Sequence, residues 1–163
     1  MLFPQQQAEP AVKPRDYIRI GHAGGGALAL MLILAFQGAT LASEISGNAA
    51  AIVMAKTTIV RAMALLILAL AATGASGMWL SGGKPRGMAL RKLARMKAAA
   101  AIGIVILVPA ALFLAMKANH GAFDAAFYGV QAIEIAAGLT NFLLIGLNMR
   151  DGLRMSRSRR ALT

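Results

Sequence analysis

The sequence predicts an all-α integral membrane protein: a four-helix bundle, antiparallel and up-down, with both termini cytoplasmic. Three observations predict it. The 163 residues are 58% hydrophobic, and their mean hydropathy is +0.66, a value that soluble domains of this size rarely reach. The apolar residues fall in long blocks with almost no charge inside, as membrane spans do. The basic residues lie between and beyond those blocks, where they anchor spans at an anionic leaflet. A chain this short is normally one domain.

Residues 1–19 read as a mobile N-terminal tail. Pro4, Pro10 and Pro14, with the run Gln5-Gln6-Gln7, disfavour a helix there. The membrane domain covers 20–148, and its first span is about 20–42. A cleaved signal peptide competes with that reading, because Thr40-Leu41-Ala42 resembles a cleavage site. The apolar run is longer than a typical signal core and a long tail precedes it, which favours an uncleaved span. Ser43 to Lys56 reads as a mildly polar connection.

The second span is about 59–80, with Arg61 just inside its start. It ends in GASGMWLSGG, where glycines release the helix and Trp79 suits an interface. KPRGMALRKLARMK follows, with six basic residues and no acidic one. Lys84, Arg86, Arg91, Lys92, Arg95 and Lys97 suggest contact with anionic lipid headgroups, through an amphipathic lead-in to the next span. A solvated basic loop that only sets topology is the alternative. The third span is about 98–116, and Pro109 inside it predicts a kink. Lys117 to Asp124 reads as a short turn holding His120. The fourth span is about 127–147, and 149–163 reads as a basic cytoplasmic tail.

The topology follows from a count. The N-terminal tail, the Lys84–Lys97 loop and the C-terminal tail hold 14 of the 17 Lys and Arg residues. An even number of spans puts both tails on one side, and the positive-inside rule makes that side the cytoplasm of an inner membrane. The formal net charge of +11 is thereby accounted for by lipid and topology, without a nucleic-acid partner. The chain has no Cys, which excludes disulfides, thiolate metal sites and cysteine catalysis.

The polar residues inside the spans are the candidates for function. An ionisable group at the centre of a span costs about 2.5–3.5 kcal/mol on translocon scales, so it faces protein or water. At 100° per residue, Gln131, Glu134, Asn141 and Asn148 share one side of the fourth helix with Gly138. His22, Gln37, Thr40 and Glu44 form a similar stripe on the first helix, with Gly26 among them. Packing these faces together, with Arg61 reaching in from the second helix, predicts a buried polar cluster of Gln37, Glu44, Arg61, Gln131, Glu134 and Asn141. An Arg61–Glu134 or Arg61–Glu44 pair would neutralise its charges.

Two readings of this cluster stay open. Polar groups across helices act as glue worth about 0.6 kcal/mol each. Alternatively, an intramembrane carboxylate marks a site for a proton, a small cation or a polar solute. A non-catalytic accessory or assembly subunit of a larger membrane complex is the alternative function, and the many small residues that favour close helix contact suit it. A haem- or metal-binding redox protein is a further alternative. No cofactor is required by the sequence, and haem is disfavoured. His22 and His120 sit at opposite ends of their spans, about 30 Å apart, too far to be two axial ligands of one haem. The ten methionines are scattered as packing residues rather than arranged for copper. No GxGxxG, Walker, HExxH or GxSxG pattern supports an enzyme.

Three stretches resemble a family. IGHAGGGALALMLILAFQG in the first span, GASGMWL ending the second and LARMK entering the third are similar to the CopD-like membrane proteins and their HemJ-like relatives. The resemblance covers the first three spans. The fourth, VQAIEIAAGLTNFLLIGLNMRDG, departs from it. The resemblance implies a bundle of four or more helices, with His22 as the residue to suspect for metal or haem.

Overall fold

In the computed structural model, residues 14–82 and 87–160 are described, with side chains as far as Arg154. Lys84, Arg86, most of the N-terminal tail and the extreme C-terminus lie outside the described residues. The rest is four long helices. The first is Pro14–Ile45, the second Ala49–Leu80, the third Met88–Asn119 and the fourth Ala125–Arg160. All four are long and apolar enough to cross a membrane. They form an up-down bundle in which the first helix packs along the second, and the fourth closes against the first and third. The end carrying both chain termini is the tail end below, and the other is the hairpin end.

The helices run past the boundaries that hydropathy suggests. Pro14 opens the first helix rather than preventing it, because the missing N–H of proline has no intrahelical acceptor in a first turn. Residues 14–19 are therefore helical, not tail. The polar stretch Ser43 to Lys56 is not a connection either. Only Ser46, Gly47 and Asn48 lie between the helices. Gly47 turns the chain at φ +61, a left-handed conformation that suits glycine. The Asn48 side chain then caps the second helix by accepting from the N–H groups of Ala50 and Ala51. At the second hairpin, Gly121 has φ +67 and Asp124 accepts from the Phe127 N–H at 3.0 Å. The basic lead-in and the third span are one helix from Met88 to Asn119. The fourth likewise continues through Arg150 to Arg160.

The third helix is irregular where proline predicts it. Gly103–Leu107 is a π-turn, and Val108 donates back to the Gly103 carbonyl. Pro109, two residues on, has no N–H to give the preceding turn, and the wider turn accommodates that. Asn141 of the fourth helix donates to the Ala99 carbonyl at 3.2 Å, one turn before the irregularity. The second helix packs on the Val108–Asn119 half of the third and makes no extended contact with the Met88–Leu107 half.

The distribution of polarity is inverted relative to a water-soluble bundle. Ile104, Val105 and Leu68 are about two-thirds or more exposed, at 70%, 72% and 67%. Lys56, Gln131, Glu134, Asn141 and Asn148 are buried. Water would not tolerate that outer surface as a monomer, whereas acyl chains match it and drive the polar groups inward. The chain is a four-span helical membrane protein.

Candidate functional site

The fourth helix buries Phe127, Gln131, Glu134, Gly138, Asn141, Ile145 and Asn148. The steps alternate four and three residues, the period of a left-handed bundle seam. The first helix meets it with Ile33, Thr40 and Ser43 buried and Gln37 partly so. Gln37 donates to the Ile135 carbonyl at 2.9 Å. Its carboxamide lies over Gly138, where an added Cβ would come within 2.9 Å of it. Gly138 therefore admits a side chain, not another backbone.

The partner of Glu134 is Lys56. Its ammonium lies 2.5 Å from Glu134 Oε2, with the two side chains 1% and 8% exposed. A second donation goes to Thr40 Oγ1 at 3.3 Å. The first, second and fourth helices are thus pinned through one nitrogen. Arg61 does not enter the cluster. It is exposed and lies beside Thr57, Thr58 and Asn119 on the outside of the bundle. The expected Arg61–Glu134 and Arg61–Glu44 pairs are absent among the described residues.

Helical phase explains the exchange. Ile52, Lys56, Ile59 and Met63 are all buried and spaced by four, three and four, so Lys56 occupies a core position in an apolar series. Arg61 lies two residues past Ile59, about 200° around the helix. Lys56 escapes a hydropathy reading because its charge pulls the apparent span boundary to Ile59. The signal was its register with Ile52 and Met63.

Apolar clusters lie along the bundle on either side of the ion pair. Towards the hairpins lie Ile52, Leu114, Ala118 and Phe127, with Phe113 and Phe123 packed against them. Towards the tails lie Ile33, Ala99 and Ile145, with Leu66 and Phe142. Phe36 and Met63 belong to a flanking cluster with Ile59 and Ala111. Among the described residues, three buried side-chain oxygens have no hydrogen-bond partner: Glu44 Oε1, Gln131 Oε1 and Asn141 Oδ1. Gln131 precedes Glu134 by one turn and Glu44 follows Thr40 by one turn, so both sit on the hairpin side of the pair. An unpartnered buried acceptor costs about 1–3 kcal/mol, and each of these calls for a donor.

His22 is held apart from this cluster, near the tail end. Its Nδ1 lies 3.0 Å from both the Thr73 carbonyl and Ser76 Oγ. Gly77 makes room for the ring, since a Cβ there would meet His22 Cε1 at 3.0 Å. His120 caps the third helix at the opposite end. Among the described residues, no group of three or more His, Cys, Asp or Glu is placed to hold a metal.

Of the basic loop residues, Arg91 and Lys97 are exposed and face outward. Arg95 turns inward to Asp151 Oδ2 at 2.7 Å and to Asn148 Oδ1 at 3.4 Å. Asn148 also donates to the Lys92 carbonyl at 3.0 Å. The basic segment is thereby tied to the fourth helix instead of lying flat as a separate amphipathic element.

Comparison of the chain with protein-family models, curated proteins and solved structures finds no match.

Proposed function

We propose that this is a small multi-pass inner-membrane protein that handles a proton or small cation at the Lys56–Glu134 cluster, with both termini in the cytoplasm. The observation that carries the reading is a buried ion pair with unpartnered acceptors about one turn away on the same helices, at Gln131 and Glu44. Removing two charges from water costs several kcal/mol per ion, and apolar residues of similar volume usually serve stability as well or better. Helix glue alone does not require that chemistry. The unpartnered atoms of Gln131 and Glu44 are oxygens, so the species that complements them donates hydrogen bonds or carries positive charge. That favours a proton, a hydrated proton or a small cation over an anion. Lys56 is the resident counter-charge, and Glu134 is the group that would exchange. Apolar clusters on either side of the pair suit an occluded carrier site better than a continuous pore. The π-turn before Pro109 offers a place for the third helix to bend as one side opens.

The test is ion flux in liposomes. Purified protein is reconstituted with a pH-sensitive dye inside, and a pH gradient or membrane potential is imposed. Wild type is expected to dissipate the gradient faster than protein-free liposomes. Glu134→Gln, and the double replacement of Lys56 by Met and Glu134 by Leu, are expected to abolish that excess. Wild-type flux at the protein-free level for protons and for monovalent cations would overturn the proposal. So would a double variant that transports normally.

A further inference from the structure

A second polar assembly lies at the tail end, remote from the ion pair and unused by it. Arg95 reaches Asp151, and Arg150 approaches the other oxygen of that carboxylate at 3.5 Å. Asp151 is thus taken by two guanidinium groups. Lys92 stands one turn before Arg95, half-buried, and its ammonium points into the bundle towards Gly152 of the fourth helix. A Cβ on Gly152 would lie 3.1 Å from Lys92 Nζ. The missing side chain therefore leaves the niche that the ammonium occupies. Among the described residues that ammonium makes no hydrogen bond or ion pair. Among the described residues, Lys92, Arg95 and Arg150 stand near the one carboxylate of Asp151, which pairs with the two arginines, so the niche carries surplus positive charge.

The geometry points to a binding site for the phosphate group of an anionic phospholipid, formed between the third and fourth helices by Lys92 and Arg95 over Gly152. A partly buried ammonium lacking an acceptor is satisfied by a strong oxygen acceptor, and phosphate supplies several. The apolar outer surfaces of the same two helices would take the acyl chains. Basic pockets between spans on the cytoplasmic side hold lipid headgroups by this chemistry. The inference differs from diffuse attraction to the basic segment, because it assigns Lys92 a role that the equally charged but outward-facing Arg91 does not share.

The test uses the full-length protein, delipidated in a neutral detergent. Native mass spectrometry measures its retention of phosphatidylglycerol against phosphatidylcholine. Wild type is expected to retain the anionic lipid selectively. Lys92→Gln is expected to weaken that retention roughly tenfold or more, the loss of a charge-assisted bond, while Arg91→Gln changes it by less than about threefold. Gly152→Ala leaves the charge unchanged and fills the niche. It also favours the helix, so it decides the matter if Lys92→Gln folds poorly, and it is expected to weaken retention as well. Equal losses in the Lys92 and Arg91 variants would overturn the site, as would unchanged retention in Gly152→Ala. Displacement of the lipid by millimolar inorganic phosphate would show that the niche reads soluble phosphate instead, and would overturn the lipid assignment.

Discussion

Lys56–Glu134 and Arg95–Asp151 both tie the fourth helix to its neighbours, and they differ in how far the cation is withdrawn from solvent. Lys56–Glu134 lies between apolar clusters, with side chains 1% and 8% exposed. Arg95–Asp151 sits at the tail end, where Asp151 is as buried as Glu134 but Arg95 is 25% exposed and Arg150 shares the carboxylate. The distances are similar, at 2.5 and 2.7 Å, so length does not separate them. Environment does. In the more buried site neither charge has an alternative partner in water, and losing one strands the other. At the tail end a second guanidinium, that of Arg150, stands ready.

Breaking the more buried pair should therefore give the largest effect. Lys56→Met is expected to cost about 3–5 kcal/mol, because it leaves Glu134 buried without a counter-charge. Adding Glu134→Leu should recover most of that stability while ion flux stays lost. Thermal unfolding of the single and double variants in detergent measures the first effect, and the liposome experiment the second. If the double variant is no more stable than the single, the two side chains are not coupled.

The tail-end pair should be cheaper to break. Arg95→Gln is expected to cost about 1–2 kcal/mol, since Asp151 is buried but Arg150 remains beside it. A loss comparable to that of Lys56→Met would show that the two environments are not so different.

The next effect is steric. Gly138→Ala drives a Cβ into the Gln37 carboxamide, which can move aside only by giving up its bond to the Ile135 carbonyl, a loss of about 1 kcal/mol that the better helix propensity of Ala offsets in part. Gln37→Ala in the same background should relieve the clash, so the two changes should be non-additive in a double-mutant cycle. Arg61→Gln should fall within about 0.5 kcal/mol of wild type, as exposed substitutions do.

The smallest effect belongs to the second hairpin. The Asp124 carboxyl is held below the usual carboxylate range, first by the hydrogen bond from Lys117 and then by the Phe127 N–H. A lowered folded pKa means that its contribution is present above the unfolded value, about 4. The contribution is lost as the pH falls through the lower folded value. Unfolding temperatures followed from neutral to acidic pH should show a small decline in that window, and Asp124→Asn should remove it.

Much of this molecule was legible in its hydropathy. Four apolar blocks give four spans, because lipid permits only a helix whose backbone bonds are internal. The polar stripe on the fourth helix was equally legible. Gln131, Glu134, Asn141 and Asn148 fall on one side by periodicity alone, and all four are buried together. The partner of Glu134 was not. Lys56 and Arg61 are cations five residues apart near the same end of one helix, and hydropathy favoured the wrong one. Only register against Ile52, Ile59 and Met63 separates them. The ends of the helices were hidden for a related reason. Polar residues at Ser43, Glu44 and Lys56 lower a hydropathy average whether they face water or a neighbouring helix.

The amino-acid sequence by itself determined how many helices there are and which of their faces are polar, since both follow from local composition and a fixed 3.6-residue turn. Tertiary structure decided which charge meets which. Pairing depends on the relative rotation and height of two helices distant in the chain, and no local pattern encodes either. That is why Lys56 rather than Arg61 meets Glu134, and why Lys92 is left over Gly152 with an ammonium that no described side chain satisfies.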